Sequence, residues 1–335
     1  MFATLHPWLT KIVGAVLLVA VLLTILVFLP LHPSPKGPVQ LGFTFSVHAA
    51  EYLGIDPDEA LHAAVADLKP GLMRIPVYWD LVEEKRGTYD WSVIDRQLSI
   101  LQQGNAKALL AIGHKLPRWP ECHMPDWVDD LNKSSAQEAI RDYLTAAVEH
   151  YKDRDVVAAW QVENEALFPF GDCPNWSSDR DMLKSEIELV RTLDSSRDIY
   201  TTDSGALSLW WRTSTLPVDG IAISLYRAVF NQRVIHWRVN PYFYRLRKAL
   251  VSPFIKHFMV SELQLEPWGP APVDALTQEQ IDASLTTADF AKRIRFARET
   301  GADTVLAWGV EWWYYKLMHD HDDQYWEAAK KAFTR

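Results

Sequence analysis

Val156-Val-Ala-Ala-Trp-Gln-Val-Glu-Asn-Glu165 runs from an apolar stretch straight into three polar residues, two of them carboxylates. An apolar run this short, bounded by polar residues, reads as a strand buried on both faces. Glu165 then stands where the strand stops and a loop begins. His257-Phe-Met-Val-Ser-Glu262 repeats the arrangement, again closing an apolar run on a carboxylate. Working outward from these two, similar runs occur at 40–46, 72–77, 108–113, 199–202, 220–225 and 304–309; with 157–162 and 257–262 they predict eight strands.

Helical segments fall between them. Asp56-Pro57-Asp58-Glu59 supplies an N-cap, a Pro at the first helical position and acidic first-turn residues. Ser135-Ala-Gln-Glu138 reads as a capping box, and 282–298 carries an apolar face of helical period. Strands alternating with about eight helices over roughly 300 residues predict an α/β fold, a (β/α)8 TIM barrel. A doubly wound open sheet is the competing arrangement, because periodicity does not show closure. No Gly-rich phosphate loop follows the first strand, which counts against it.

The N-terminus is a separate object. From Ile12 to Pro30 the chain is apolar except for Thr24, long enough to cross a bilayer as a helix. The expected organisation is a short tail (1–11), a transmembrane signal-anchor (12–30), a Pro-rich linker (31–39) and the barrel (40–335). A cleaved signal peptide is the rival, but the apolar run is long for one and no small-residue cleavage site follows. Lys11 and Lys36 flank the run evenly, so charge does not set its orientation. Cys122 and Cys173 both sit in loop-like sequence, and a disulfide between them would mean an oxidising compartment. Anchor and disulfide together predict a membrane-anchored, extracytoplasmic domain.

A net charge of −9 argues against nucleic-acid binding, which depends on neutralising phosphates with Lys and Arg. The 15 Trp residues point elsewhere, since many lie beside Pro, Gly or charged residues in loop-like sequence. Flat indole surfaces suit the apolar faces of sugar rings. In a barrel, the active site is built at the C-terminal ends of the strands. Read in order, those ends offer His48, Arg74, His114, Asn164 with Glu165, Asp203, Tyr226, Glu262, and Trp308 with Glu311. Buried carboxylates are costly unless paired or used. Two of them facing each other across a barrel mouth are the minimum equipment for cleaving a glycosidic bond.

On these residues the sequence resembles the clan of retaining glycoside hydrolases with (β/α)8 barrels, the group of cellulase-like and β-galactosidase-like families. The likeness runs from about Leu41 to Phe333. It is carried by Arg74 after strand two, Asn164-Glu165 after strand four, Tyr226 after strand six, Glu262 after strand seven and Trp308 after strand eight. Tyr78-Trp-Asp-Leu-Val-Glu-Glu-Lys-Arg-Gly-Thr-Tyr-Asp-Trp91, followed by Asp95, also looks like the clan's second-strand loop and next helix. The resemblance implies a retaining β-glycosidase that acts on a β-linked oligo- or polysaccharide and uses no cofactor. Glu262 would be the nucleophile and Glu165 the acid/base. Arg74 and Tyr226 would hold Glu262 charged, Asn164 would bond the sugar 2-hydroxyl, and Trp308 would floor the reacting sugar.

His114, Trp119, Trp268, Glu311 and Trp312 are further candidates for substrate contacts. Glu163 is a rival acid/base and Glu266 a rival nucleophile. Many clan members carry His where this chain has Ser224, and His114 is expected to compensate or the sugar contacts to differ. Two other readings stay open: a catalytically inactive surface carbohydrate-binding barrel, and a metal-dependent hydrolase using His319-Asp-His-Asp-Asp323. Asn132-Lys-Ser134 and Asn175-Trp-Ser177 match the glycosylation sequon.

Overall fold

The computed structural model describes residues 7–29, 31–33, 37–169, 171, 173 and 179–333. The sequon at 175–177, residue 30 at the end of the expected anchor and residues 34–36 of the expected linker lie outside them. Eight parallel strands close into a barrel: β1 (Gln40–Thr44), β2 (Leu72–Pro76), β3 (Lys107–Ile112), β4 (Val157–Val162), β5 (Asp198–Ser204), β6 (Gly220–Leu225), β7 (His257–Gln264) and β8 (Thr304–Trp308). β1 pairs with β8 as well as β2, so the open-sheet alternative is excluded. Leu72, Leu109, Ala159, Tyr200, Ala222, Met259 and Leu306 pack together as a separate layer inside the barrel. That layer is a filled floor rather than a pore.

The helices lie outside the strands, each burying one stripe. Helix Lys133–Tyr151 covers the sheet with Ala136, Ile140, Tyr143, Leu144, Ala147 and Tyr151, at helical spacing. Asp56 caps helix Pro57–Leu68 as expected, its carboxylate accepting the Glu59 N–H. Two local expectations fail. Helix Lys133–Tyr151 starts two residues before the anticipated capping box, because Asn132 takes the N-cap and accepts the Ser135 N–H. The periodic stretch 282–298 is two helices, Gln278–Ser284 and Thr287–Glu299, since a capping box of Thr286 with Asp289 restarts the chain.

The return from β5 to β6 holds only one helical turn, Trp211–Ser214. After β6 an unanticipated antiparallel hairpin, Ala228–Asn231 with Arg233–His236, rises from the rim. Helix Pro7–Phe28 includes an 18-residue span, Lys11–Phe28, apolar and long enough to cross a membrane. Its last turn touches the barrel, where the Asn240 backbone N–H donates to the Val27 carbonyl at 2.9 Å.

Candidate functional site

Arg74, on β2, is fully buried and organises the centre of the barrel mouth. Its Nη1 donates to Glu262 Oε1 at 2.8 Å, its Nη2 to Asn164 Oδ1 at 2.6 Å, and its Nε to Gln161 Oε1 at 2.8 Å. One guanidinium thereby fixes groups from β4 and β7. Asn164 Oδ1 also accepts from the Thr202 hydroxyl at 2.9 Å, which leaves its amide NH2 out of these bonds. Tyr226 donates its hydroxyl to Glu262 Oε2 at 3.3 Å.

Glu165 sits in a different setting. Its carboxylate accepts from the Ser224 hydroxyl at 2.5 Å, and no guanidinium touches it among the described residues. Burial and the neighbouring Glu262 charge push its carboxyl up to about 7, against the opposing pull of Ser224 and Lys115. The β4 end is held in an unusual backbone shape, with φ of +59° at Glu163 and +44° at Glu165. Side chains seldom adopt that region without surrounding support. Here Glu163 supplies it, accepting the His114 and Lys115 backbone N–H groups at 3.0 and 2.7 Å and His114 Nδ1 at 2.8 Å. Gly113 makes room, since a Cβ there would fall 2.4 Å from the Glu163 carboxyl. Glu163 therefore clamps the β3 loop to the β4 end and does not line the cleft.

Two cavities flank Glu262. The larger, about 550 Å³, is lined by His48, Arg118, Trp119, Trp268 and Trp308 among others. The smaller, about 140 Å³, holds Glu165, Ser224, Leu207 and Trp237. Glu121, Tyr226, Glu262 and Trp268 border both.

Not every candidate reaches this cleft. His114, Glu311 and Trp312 are buried and line neither cavity. His114 serves Glu163, so it does not compensate for Ser224, which bonds Glu165 directly. Glu311 accepts the Ser46 N–H and, at 2.8 Å, Arg118 Nη2, while Trp312 packs on Tyr325 at 4.5 Å. Glu266 borders the large cavity, but Arg118 Nη1 donates to both of its carboxylate oxygens, at 2.8 and 3.0 Å. Trp308 borders the large cavity, but the Arg118 guanidinium lies 4.1 Å over its ring. In the His319–Asp323 tract, Lys316 pairs with both Asp320 and Asp322, and His319 with Asp320. The two groups of three potential metal ligands among the described residues lie elsewhere, at His48/Asp80/His123 and His114/Glu163/Glu186.

Several participants were not anticipated. Lys115 Nζ donates to the Glu165 and Phe168 carbonyls at 3.0 and 3.1 Å, bracing the loop after β4. Glu121 is a further carboxyl in the cleft, which burial and its neighbours Glu262 and Glu165 push up to about 8. Its only sequence signal was adjacency to Cys122, which a disulfide joins to Cys173 across the β3 and β4 loops. Gln161 and Thr202 point into the barrel from mid-strand, where sequence gives no cue to a polar role.

Residues 76–182 match the sequence profile of Glycosyl hydrolase family 10. The whole barrel resembles solved glycoside hydrolases. Xylanase 10B from Thermotoga maritima aligns at a TM-score of 0.60 and 14% identity, covering 88% of this chain and 95% of that one. A glycosylated endo-β-1,4-xylanase from Gloeophyllum trabeum aligns at 0.60 and 16%, over 89% and 97% of the two chains. A GH5_18 protein from Streptomyces cattleya, solved with GlcNAc, aligns at 0.62 and 12%, over 90% and 81%. At these identities the structural likeness is one of fold. Fold and profile match agree with the resemblance seen in the sequence: the chain has the closed (β/α)8 barrel of these glycoside hydrolases and carries the family 10 profile over 76–182.

Proposed function

We propose that the protein is a retaining β-glycosidase cleaving O-glycosidic bonds in a β-linked glycan by double displacement. The observation that carries this reading is the contrast between the two strand-end carboxyls. Glu262 is ion-paired to Arg74 and bonded by Tyr226, whereas the Glu165 carboxyl accepts from the neutral Ser224 hydroxyl and is pushed up to about 7 by burial and by Glu262. Ionised Glu262 attacks the anomeric carbon as Glu165 passes its proton to the leaving oxygen, and the glycosidic bond breaks. Water then attacks the glycosyl-enzyme, gives its proton to Glu165, and releases the sugar with Glu262 ionised again. The Asn164 amide NH2, turned out of the Arg74 and Thr202 bonds, donates to the sugar 2-hydroxyl.

Cavities on both sides of Glu262 suit sugar units on both sides of the cut. Trp268, shared by the two, and Trp119 at the rim offer aromatic surfaces for them. The named xylanases among the structural neighbours favour a β-1,4-linked chain as the first substrate to try. Lys11–Phe28 is read as an uncleaved membrane anchor; that reading and the Cys122–Cys173 disulfide support an oxidising, extracytoplasmic location for the barrel.

A mechanism-based fluoro-glycoside followed by peptide mapping tests the reading. Labelling of the peptide that contains Glu262 is the expected result. Labelling of another peptide, or full activity in Glu262→Ala, would sink it. Glycan binding without turnover would instead favour the inactive carbohydrate-binding barrel.

A further inference from the structure

In a chain of net charge −9, residues 220–261 contain no Asp or Glu and seven Arg or Lys. They form β6, the hairpin, helix Pro241–Val251 and most of β7. The last turn of the apolar N-terminal helix docks on this same segment. Asn240, the N-cap of helix Pro241–Val251, donates its side-chain amide to the Leu26 and Leu29 carbonyls at 2.7 and 2.5 Å. The barrel therefore begins where the apolar span ends. Eighteen residues at 1.5 Å each span about 27 Å, close to the hydrocarbon thickness of a bilayer. If Lys11–Phe28 crosses the membrane, this side of the barrel has no room to stand away from it.

The exposed surface here suits such a neighbour. Leu209 is 70% exposed, Leu250 64%, Trp211 53% and Phe254 44%. Two contacts tie loop 205–211 to helix Pro241–Val251 and the residues just after it. Trp211 meets Phe254 edge-on at 5.0 Å, and Arg247, on the docked helix, donates to the Gly205 and Ala206 carbonyls. The single helical turn between β5 and β6 leaves this wall thinly covered. Arg212, next to Trp211, and Arg233 and Arg238, in and just after the hairpin, are exposed and have no ion-pair partner among the described residues. Exposed apolar and aromatic side chains combined with unpaired cations are the composition of a surface that meets lipid headgroups.

We infer that the barrel face formed by helix Pro241–Val251, loop 205–211 and the hairpin rests on an anionic lipid surface. This rests on the anchoring reading above and is independent of the catalytic one. Docking would hold the barrel at a fixed angle, with the cavity bearing Glu165, Leu207 and Trp237 beside the docked face.

The test uses the full chain in lipid nanodiscs, followed by hydrogen–deuterium exchange. On discs containing phosphatidylglycerol, amides of 205–214 and 241–254 should exchange more slowly than on phosphatidylcholine discs, by on the order of tenfold. Helix Ser92–Gln103, on another side, should not change. Arg212→Gln/Arg233→Gln/Arg238→Gln should remove the difference between the two lipids. Leu209→Ser/Trp211→Ser/Leu250→Ser/Phe254→Ser should remove the protection on both. Equal exchange on both discs, or protection unaffected by either variant, overturns the inference. Protection produced by an acidic polysaccharide without lipid also overturns it, and makes the face a substrate surface. A chain that is not retained in the disc refutes the anchor and this inference together. None of these readouts depends on turnover, so a failed glycosidase assay leaves them interpretable.

Discussion

The ends of β4 and β7 present two carboxyls that are equally hidden, Glu165 at 7% exposure and Glu262 at 6%, in opposite electrostatic company. Burial is therefore not what separates them. Glu262 has a guanidinium and a phenol; Glu165 has a serine hydroxyl and the repulsion of Glu262. At similar burial, unequal partners push Glu165 toward keeping its proton and set Glu262 against a cation, and that division of labour is what double displacement needs.

The comparison can be broken at each partner. Glu262→Ala should lower kcat on the order of 10⁵-fold, as loss of other covalent nucleophiles does, read from initial rates on an aryl glycoside. Glu165→Ala should cost roughly 10²–10⁴-fold on a poor leaving group, and far less on an activated one that needs no proton. Comparing dinitrophenyl and alkyl glycosides would show it, and an equal loss on both would deny Glu165 the acid role. Arg74→Met leaves Glu262 buried without its cation and frees Asn164. It should destabilise the fold by about 3–5 kcal/mol, measured by urea unfolding.

The smallest effect sharpens the contrast most. Glu165 is the proton donor below its pKa, so kcat/KM should fall as pH rises through about 7. The Ser224 bond favours the ionised form and holds that pKa down. Ser224→Ala should therefore move the alkaline limb to higher pH, with only a modest loss at the optimum. A limb that stays in place would mean another group sets it, Glu121 being the nearest alternative.

The strand ends were legible because the chemistry sits where apolar runs stop, and a barrel reads those positions out in order. Arg74, Asn164, Glu165, Tyr226 and Glu262 do meet at one centre. Candidates chosen for type and nearness alone fared differently. His114 and Glu311 are polar residues just past strand ends, yet each faces away from the cleft to satisfy buried backbone and side-chain groups. Trp308 borders the cavity with Arg118 laid across its ring, a contact between the β3 loop and β8 that no local pattern announces. The helix break at Leu285-Thr286 was missed because an apolar period runs through it, while a local capping box decides the matter.

Sequence alone determined the alternation of strands and helices, and with it which residues stand at the mouth of a barrel, because hydrophobic period and cap chemistry are local properties. Tertiary structure decided which carboxyl gains a cation and which gains a hydroxyl. It also decided that Glu163 is a clamp, and that the apolar N-terminal helix ends against Asn240, within the segment 220–261 that itself has no acidic residue. Those outcomes depend on groups up to about two hundred residues apart in the chain, brought together only by closure of the sheet.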